Sequence, residues 1–236
     1  MKLLVVSDLH LDWTTHGVSR FDELHEALHG EVLTRAIEEP VDAFLFLGDL
    51  CDPDSGPVVF RAMASVILLA RKLESHGIEQ VWITGNHDVI EDGSGTTTLT
   101  PLAANANNVI HVHERPGKVD LKGGVTVITL PFVASTGAYD PESWIEEALK
   151  DTAGPVIVAG HMTNIPGVTP GEEATEMPRG REVRFPVEKC GAANLLLNGH
   201  FHRQQKTESC IWIPGSPSRL TFGETDHTPG FLIVEV

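Results

Sequence analysis

Five short stretches carry side chains that can hold metal ions: Ser7-Asp8-Leu9-His10, Gly48-Asp49-Leu50-Cys51-Asp52, Gly85-Asn86-His87-Asp88, Gly160-His161 and Gly199-His200-Phe201-His202. Carboxylates, imidazoles and an amide oxygen suit borderline first-row cations such as Mn²⁺, Fe²⁺ or Zn²⁺, and thiolates, which would favour zinc alone, are not part of the set. In Asp8-x-His10 and His200-x-His202 the side chains stand two residues apart, so on an extended segment each pair points to one side and can grip one cluster. Glycine directly before Asp49, Asn86, His161 and His200 lets the backbone turn sharply out of a sheet. One such stretch carries little weight, because a histidine near a strand end is more often a satisfied surface or core group and a Gly-Asp pair more often a turn. Five together are a stronger signal, since so many polar groups gathered without a partner would cost stability.

Each stretch sits where an apolar run ends. The runs Leu3 to Ser7, Ala43 to Leu47, Val81 to Thr84, Val125 to Leu130, Val156 to Ala159, Leu195 to Leu197 and Phe231 to Val236 are short and often β-branched, and read as buried strands. Phe21 to Glu39 is amphipathic; Val58, Val59, Ala62, Met63, Val66, Ile67, Ala70 and Leu73 recur at helical spacing before Gly77; and Asp140 to Asp151 reads as a third helix with Pro141 at its start. Early β-α alternation followed by a strand-rich second half predicts two sheets packed face to face with helices outside. Proline and glycine gather in residues 164 to 180, which read as a long, substrate-facing loop.

The order DxH, GDxxD, GNHD, GH, GHxH resembles the calcineurin-like metallophosphoesterase superfamily over nearly the entire chain. That resemblance implies a four-layered α/β/β/α sandwich with two divalent cations, Mn²⁺ first and Fe²⁺ or Zn²⁺ next. Asp8, His10 and His202 would hold one, Asn86, His161 and His200 the other, and Asp49 would bridge them. His87 matches the histidine that protonates the leaving oxygen and Asp52 the acid that orients it. Two cations roughly 3.5 to 4 Å apart would polarise a phosphate ester and supply a bridging hydroxide for in-line attack.

Asp52 is followed by Pro53-Asp54, whereas protein phosphatases of the superfamily usually continue GDxxDRG, so that branch is excluded. The stretch Gly215-Ser216-Pro217-Ser218-Arg219-Leu220-Thr221-Phe222-Gly223-Glu224, the later Pro229-Gly230-Phe231 and the stretch Gly199-His200-Phe201-His202-Arg203-Gln204, which with Gln205 completes GHxHxxQ, are similar to SbcD-type DNA-repair exonucleases. The resemblance implies a DNA exonuclease or endonuclease; a small-molecule phosphoesterase acting on cyclic nucleotides, nucleotide anhydrides or monoesters is the alternative. SbcD-type proteins usually continue into a DNA-capping domain and a segment that binds an SMC-like ATPase. This chain ends at Val236, after its final strand, so we expect a single domain over residues 1–236 without a cap and leave the ATPase partner open.

With 17 Lys and Arg against 33 Asp and Glu, the net charge of −16 opposes tight binding of a polyanion, and only bound dications would reverse it locally. Arg203, Arg219, Arg179 and Arg181 are the cations to test as phosphate contacts, although an arginine at such a position is more often a plain surface residue. No apolar stretch reaches the ~20 residues of a membrane span, and the opening apolar run is too short for a signal peptide. Cys51, Cys190 and Cys210 are odd in number and scattered, which suggests packing thiols in a reducing cytoplasm. The remaining histidines, His16, His25, His29, His76, His111, His113 and His227, fit no ligand spacing and are expected at the surface.

Overall fold

The computed structural model describes residues 1–134, 138–169 and 183–236. In chain order, β1 (Lys2–Val6) leads through a small hairpin, β2 (Thr14–Thr15) and β3 (Val18–Ser19), into α1 (Phe21–Glu26), a π-helical stretch Ala27–Val32 and α2 (Leu33–Glu38). Next come β4 (Ala43–Leu47), α3 (Val58–Ser75), β5 (Glu79–Ile83), α4 (Thr100–Ala103), β6 (Ile110–His113), β7 (Gly117–Asp120) and β8 (Thr126–Leu130). The chain continues through α5 (Pro141–Ala148), β9 (Val156–Gly160), β10 (Leu195–Asn198), β11 (Gln205–Lys206), β12 (Ile211–Ile213) and β13 (Leu232–Glu235).

Strands that are apolar at every position must bury both faces, and alternation assigns each residue to one of two cores. Leu3, Val5, Leu45 and Ile83 meet Val127, Ile157 and Leu197 in a core between the sheets. Their neighbours Leu4, Val6, Phe44, Phe46 and Trp82 point the other way, onto Leu24, Leu28, Val66 and Leu69 of the helical layer. Ile128, Leu130 and Val158 likewise face Ile145 and Ala148 of α5. Four layers result, α/β/β/α. The first sheet runs β13-β1-β4-β5-β6 and the second β11-β12-β10-β9-β8-β7. β1, β4, β5 and β6 are mutually parallel, as are β8, β9, β10 and β12, so the loops leaving their carboxyl ends gather at one edge of the sandwich, the usual place for a ligand site in such sheets.

The expected single helix over Phe21 to Glu39 is a helical rod that widens to π geometry around Gly30. β6 (Ile-His-Val-His), β7 and β12 were not predicted: each is too short or too polar to show an apolar run, and neighbouring strands hold it in place. Of the loop 164 to 180, residues 164 to 169 are described and 170 to 180 lie outside the described residues. Among the described residues no helix is long and apolar enough to cross a membrane. Cys51 and Cys190 are buried, but Cys210 is exposed. Several histidines leave the expected surface: His227 is buried, His25 and His29 share the Ser65 hydroxyl, and His113 bonds Thr129.

Candidate metal centre

The loops after β1, β4, β5, β9 and β10 bring seven polar side chains together. Asp8, His10 and His202 each present one ligand atom within 4.8 Å of the others, as do Asp49, His161 and His200, and all six residues are buried. Asp49 Oδ2 lies between the groups, 3.7 Å from His10 Nε2 and 3.3 Å from His161 Nε2. Asn86 Oδ1 joins the second, 3.0 Å from His161 Nε2 and 2.9 Å from His200 Nδ1. At the rim stands His87, its Nδ1 3.9 Å from Asp52 Oδ2 and its ring 4.9 Å from that of His10.

Asp8 and His10 fall in one group, whereas His200 and His202 fall in different groups, the split that the family resemblance implies and that alternation along a strand does not. Alternation does not apply because these segments are not extended. Asp8, His10, Asp49 and His200 all adopt positive φ, between 40° and 77°. Left-handed backbone at four non-glycine residues is strain that surrounding contacts must hold. The glycines before these side chains matter mainly for space. A Cβ on Gly85 would fall 2.1 Å from Asp49 Oδ1, and one on Gly199 2.2 Å from Ser7 Oγ and 2.3 Å from the Leu47 carbonyl.

Two features test whether a cation suits this set. Asp8 Oδ2 is buried with no hydrogen-bond partner among the described residues, and His10 and His202 turn their Nε2 atoms on one another at 3.2 Å. A bare buried acceptor and two facing imidazole nitrogens are groups that a dication satisfies. Electrostatics are mixed: burial lowers His161, but Asp49 and Asp8 raise it to about 9, a proton that a cation would have to displace. Burial drives the Asp8 carboxyl up to about 6 against the pull of His161 and His202. Burial also pushes Asp49 up, but the charges of His161 and His87 outweigh it and hold that carboxyl well below its usual range. Burial keeps His10 low and brings His200 down to about 3, so both rest as neutral imidazoles, the ligand form.

A further layer of contacts orients these side chains. His161 Nδ1 donates to the Leu47 carbonyl at 2.6 Å, which leaves Nε2 to face Asn86 and Asp49. His202 Nδ1 donates to Glu224 Oε1 at 2.8 Å, and the Leu220 amide donates to the other Glu224 oxygen. Asp88 accepts from the amides of Asp49, Leu50 and Gly85 and from the Thr98 hydroxyl, fixing the turns that carry Asp49 and Asn86. Such partners set imidazole tautomer and ligand basicity. Neither Glu224 nor Asp88 was assigned a role from sequence, although each closes a short motif, FGE and GNHD respectively.

Glu224 also explains why the GSP stretch and the GHxHxxQ stretch occur together. The Ser216 amide donates to the His202 carbonyl at 3.0 Å, and Gln204 Nε2 reaches the carbonyls of Pro214 and Phe231. Gly215, at φ 75°, leaves no room for a Cβ, which would lie 2.7 Å from the Gln204 amide nitrogen and the His202 carbonyl oxygen. The two stretches form one unit behind His202. Of the candidate phosphate contacts, Arg203 stands 3.6 Å from Asp226 and Arg219 donates to the His227 carbonyl; Arg179 and Arg181 lie outside the described residues.

The sequence profile of the calcineurin-like phosphoesterase family matches residues 1–204. The chain belongs to that family. As a calcineurin-like phosphoesterase it is a metal-dependent enzyme. The D component of the nuclease SbcCD from Escherichia coli (strain K12) is 24% identical to it over 255 aligned positions, 95% of this chain and 62% of that protein. Its Bacillus subtilis (strain 168) counterpart is 25% identical over 267 positions, 100% of this chain and 66% of that one. This calcineurin-like chain thus spans a little under two thirds of the length of these curated relatives. A purple acid phosphatase, PPD1, from yellow lupin (Lupinus luteus) seeds shares the fold, with a TM-score of 0.53 at 13% identity over 86% of this chain and 38% of that one.

Proposed function

We propose that the chain hydrolyses phosphodiester bonds in DNA with two divalent cations. Asp8, His10 and His202 would hold one, Asn86, His161 and His200 the other, with Asp49 shared. The observation that carries this reading is the position of Asp49 Oδ2, within 3.7 Å of a histidine of each group. The carboxylate, imidazole and amide donors suit Mn²⁺ best, then Fe²⁺ or Zn²⁺. When bound, a pair of such cations supplies Lewis acidity for the phosphate and an activated water.

The chain's own groups supply the rest. His87 is partly exposed at the rim, within reach of a departing oxygen, and serves as the acid that protonates it. Asp52, whose carboxyl is held below its ordinary range by the hydrogen bond to His87, orients that imidazole and favours its charged form. DNA is preferred as substrate because the unit behind His202 is built from the two SbcD-like stretches, and because two SbcCD components align over 95% and 100% of the chain. Those relatives are parts of a multi-subunit nuclease, and an SMC-like ATPase partner belongs to the same reading. Arg203 and Arg219 are the described arginines proposed to meet the DNA backbone.

The test is turnover of bis-p-nitrophenyl phosphate, single-stranded DNA and duplex DNA with Mn²⁺. Cleavage of all three, or of one DNA form and the small diester, is expected. If both DNA forms stay intact while the small diester is cleaved, the substrate is a small phosphoester, the reading that the net charge of −16 favours.

A further inference from the structure

Between the loop that leaves β1 and the loop that leaves β4 lies a cavity of about 580 Å³. Trp13, Pro57 and Val58 form its apolar wall, and Asp12, Thr14 and Ser55 its polar edge. Two sets of contacts place it beside the metal centre. The Trp13 indole meets the His10 ring edge to face at 5.8 Å between centroids, and the same His10 ring lies 4.9 Å from His87. On the other wall, the Ser55 hydroxyl donates to Asp12 and the Ser55 amide to the Asp52 carbonyl at 3.2 Å; Asp52 is the carboxylate beside His87. The cavity therefore adjoins the side of the site that carries the proposed acid, where the alcohol departs.

The chemistry of the lining narrows what it can take. None of the lining residues is Lys or Arg, and the one ionisable group is a carboxylate, so a second phosphate would be repelled. The volume falls within the range of small-molecule sites, and the mix of apolar wall with few polar groups is typical of them. Trp13 packs on the core formed by residues such as Leu9 and Leu11 and still lines the cavity, so its ring is held rigid before any ligand arrives. A fixed aromatic face is a stacking platform, and each nucleobase stacked on one contributes about 1–3 kcal/mol.

We infer that Trp13 is the stacking wall of a subsite for a neutral aromatic ring, the nucleobase carried by the departing nucleoside. This rests on the phosphodiesterase reading above and adds which part of the substrate the cavity selects. Thr14 and Ser55 offer hydroxyls at the ring's edge without demanding one base, so the subsite selects for a base and not for a sequence.

The test compares thymidylyl-(3′→5′)-thymidine with two analogues, each lacking one base, on wild type, Trp13→Ala and Trp13→Phe with Mn²⁺; product analysis tells which nucleoside leaves. For wild type, loss of the leaving-side base is expected to lower kcat/KM roughly 5- to 150-fold, chiefly through KM, the stacking energy expressed as a ratio. Trp13→Ala is expected to lose the same factor on the intact dinucleotide and nothing further when that base is absent. Trp13→Phe keeps both a ring and the core packing and should recover most of the loss. Independent, multiplying effects of base removal and Trp13→Ala overturn the subsite, as does an unchanged KM in Trp13→Ala. Cleavage of bis-p-nitrophenyl phosphate with the dinucleotide untouched also overturns the subsite and leaves the reaction class standing. A wild type that cleaves neither compound overturns the phosphodiesterase reading itself.

Discussion

His202 Nδ1 lies 2.8 Å from Glu224 Oε1, with both side chains buried and 22 positions apart in the chain. Burial raises the Glu224 carboxyl, but the hydrogen bond and charge of His202 together with the Leu220 and Thr221 amides outweigh it and leave the group below its ordinary range. The imidazole is thereby held with its proton on Nδ1 and its lone pair on Nε2, toward His10 and Asp8. Loss of such a partner typically weakens a metal site by about 10- to 100-fold. Glu224→Ala is expected to lower Mn²⁺ affinity by that factor, measured by isothermal titration, and Glu224→Gln by less because it keeps an acceptor. Equal affinity in all three proteins would remove Glu224 from the support of the site.

His87 touches both the acid pair and the ring of His10 but belongs to neither ligand group. His87→Asn should therefore keep metal content near wild type and reduce turnover of a diester with a poor leaving group by ~10²-fold or more. Metal analysis run beside the kinetics separates the two effects. Turnover at the wild-type rate would exclude His87 from the proton transfer.

Asp88 is 0% exposed and takes four hydrogen bonds, three of them from backbone amides. Asp88→Ala strands those donors in a dry interior and should destabilise the fold by about 3 kcal/mol or more, read from urea unfolding. Asp88→Asn also suffers, since its amide nitrogen would face amides that need an acceptor. A midpoint within error of wild type would contradict the clamp.

Burial, helped by His111, pushes the His113 imidazole down to about 4. An unfolded histidine titrates near 6.5, so between these values the unfolded chain carries the extra proton and stability rises with pH. The contribution is complete above about pH 6.5 and is lost as pH falls toward 4, about 2 kcal/mol once partial exposure is allowed for. Urea unfolding in the presence of a chelator, at several pH values, should show a shallower slope for His113→Asn than for wild type across that window. Parallel slopes would refute it.

The loops that carry the candidate ligands were legible because each follows a strand with a clear apolar run, and Ala43 to Leu47 matches β4 residue for residue. What could not be read was the layer behind them. Asp88 and Glu224 act by accepting hydrogen bonds from amides and imidazoles brought close only by the fold, and such bonds leave no spacing in the chain. The split of His200 from His202 came from the family resemblance and not from spacing: a positive φ of 77° at His200 cancels the alternation that a strand would impose. β6 escaped notice because its two histidines interrupt the apolar pattern, and its place at the sheet edge asks less of its side chains.

Neither ligand group is contained within one sheet. Asp8, His10, Asp49 and Asn86 follow strands of the first sheet, while His161, His200 and His202 follow strands of the second, and each group draws on both. A cation held by either group is therefore also a rivet across the sandwich. Occupancy and the docking of the two halves are one linked equilibrium, so a ligand substitution that weakens metal binding also loosens the seam between the sheets, and a mutation deep in that seam, far from any phosphate, lowers affinity for the metal.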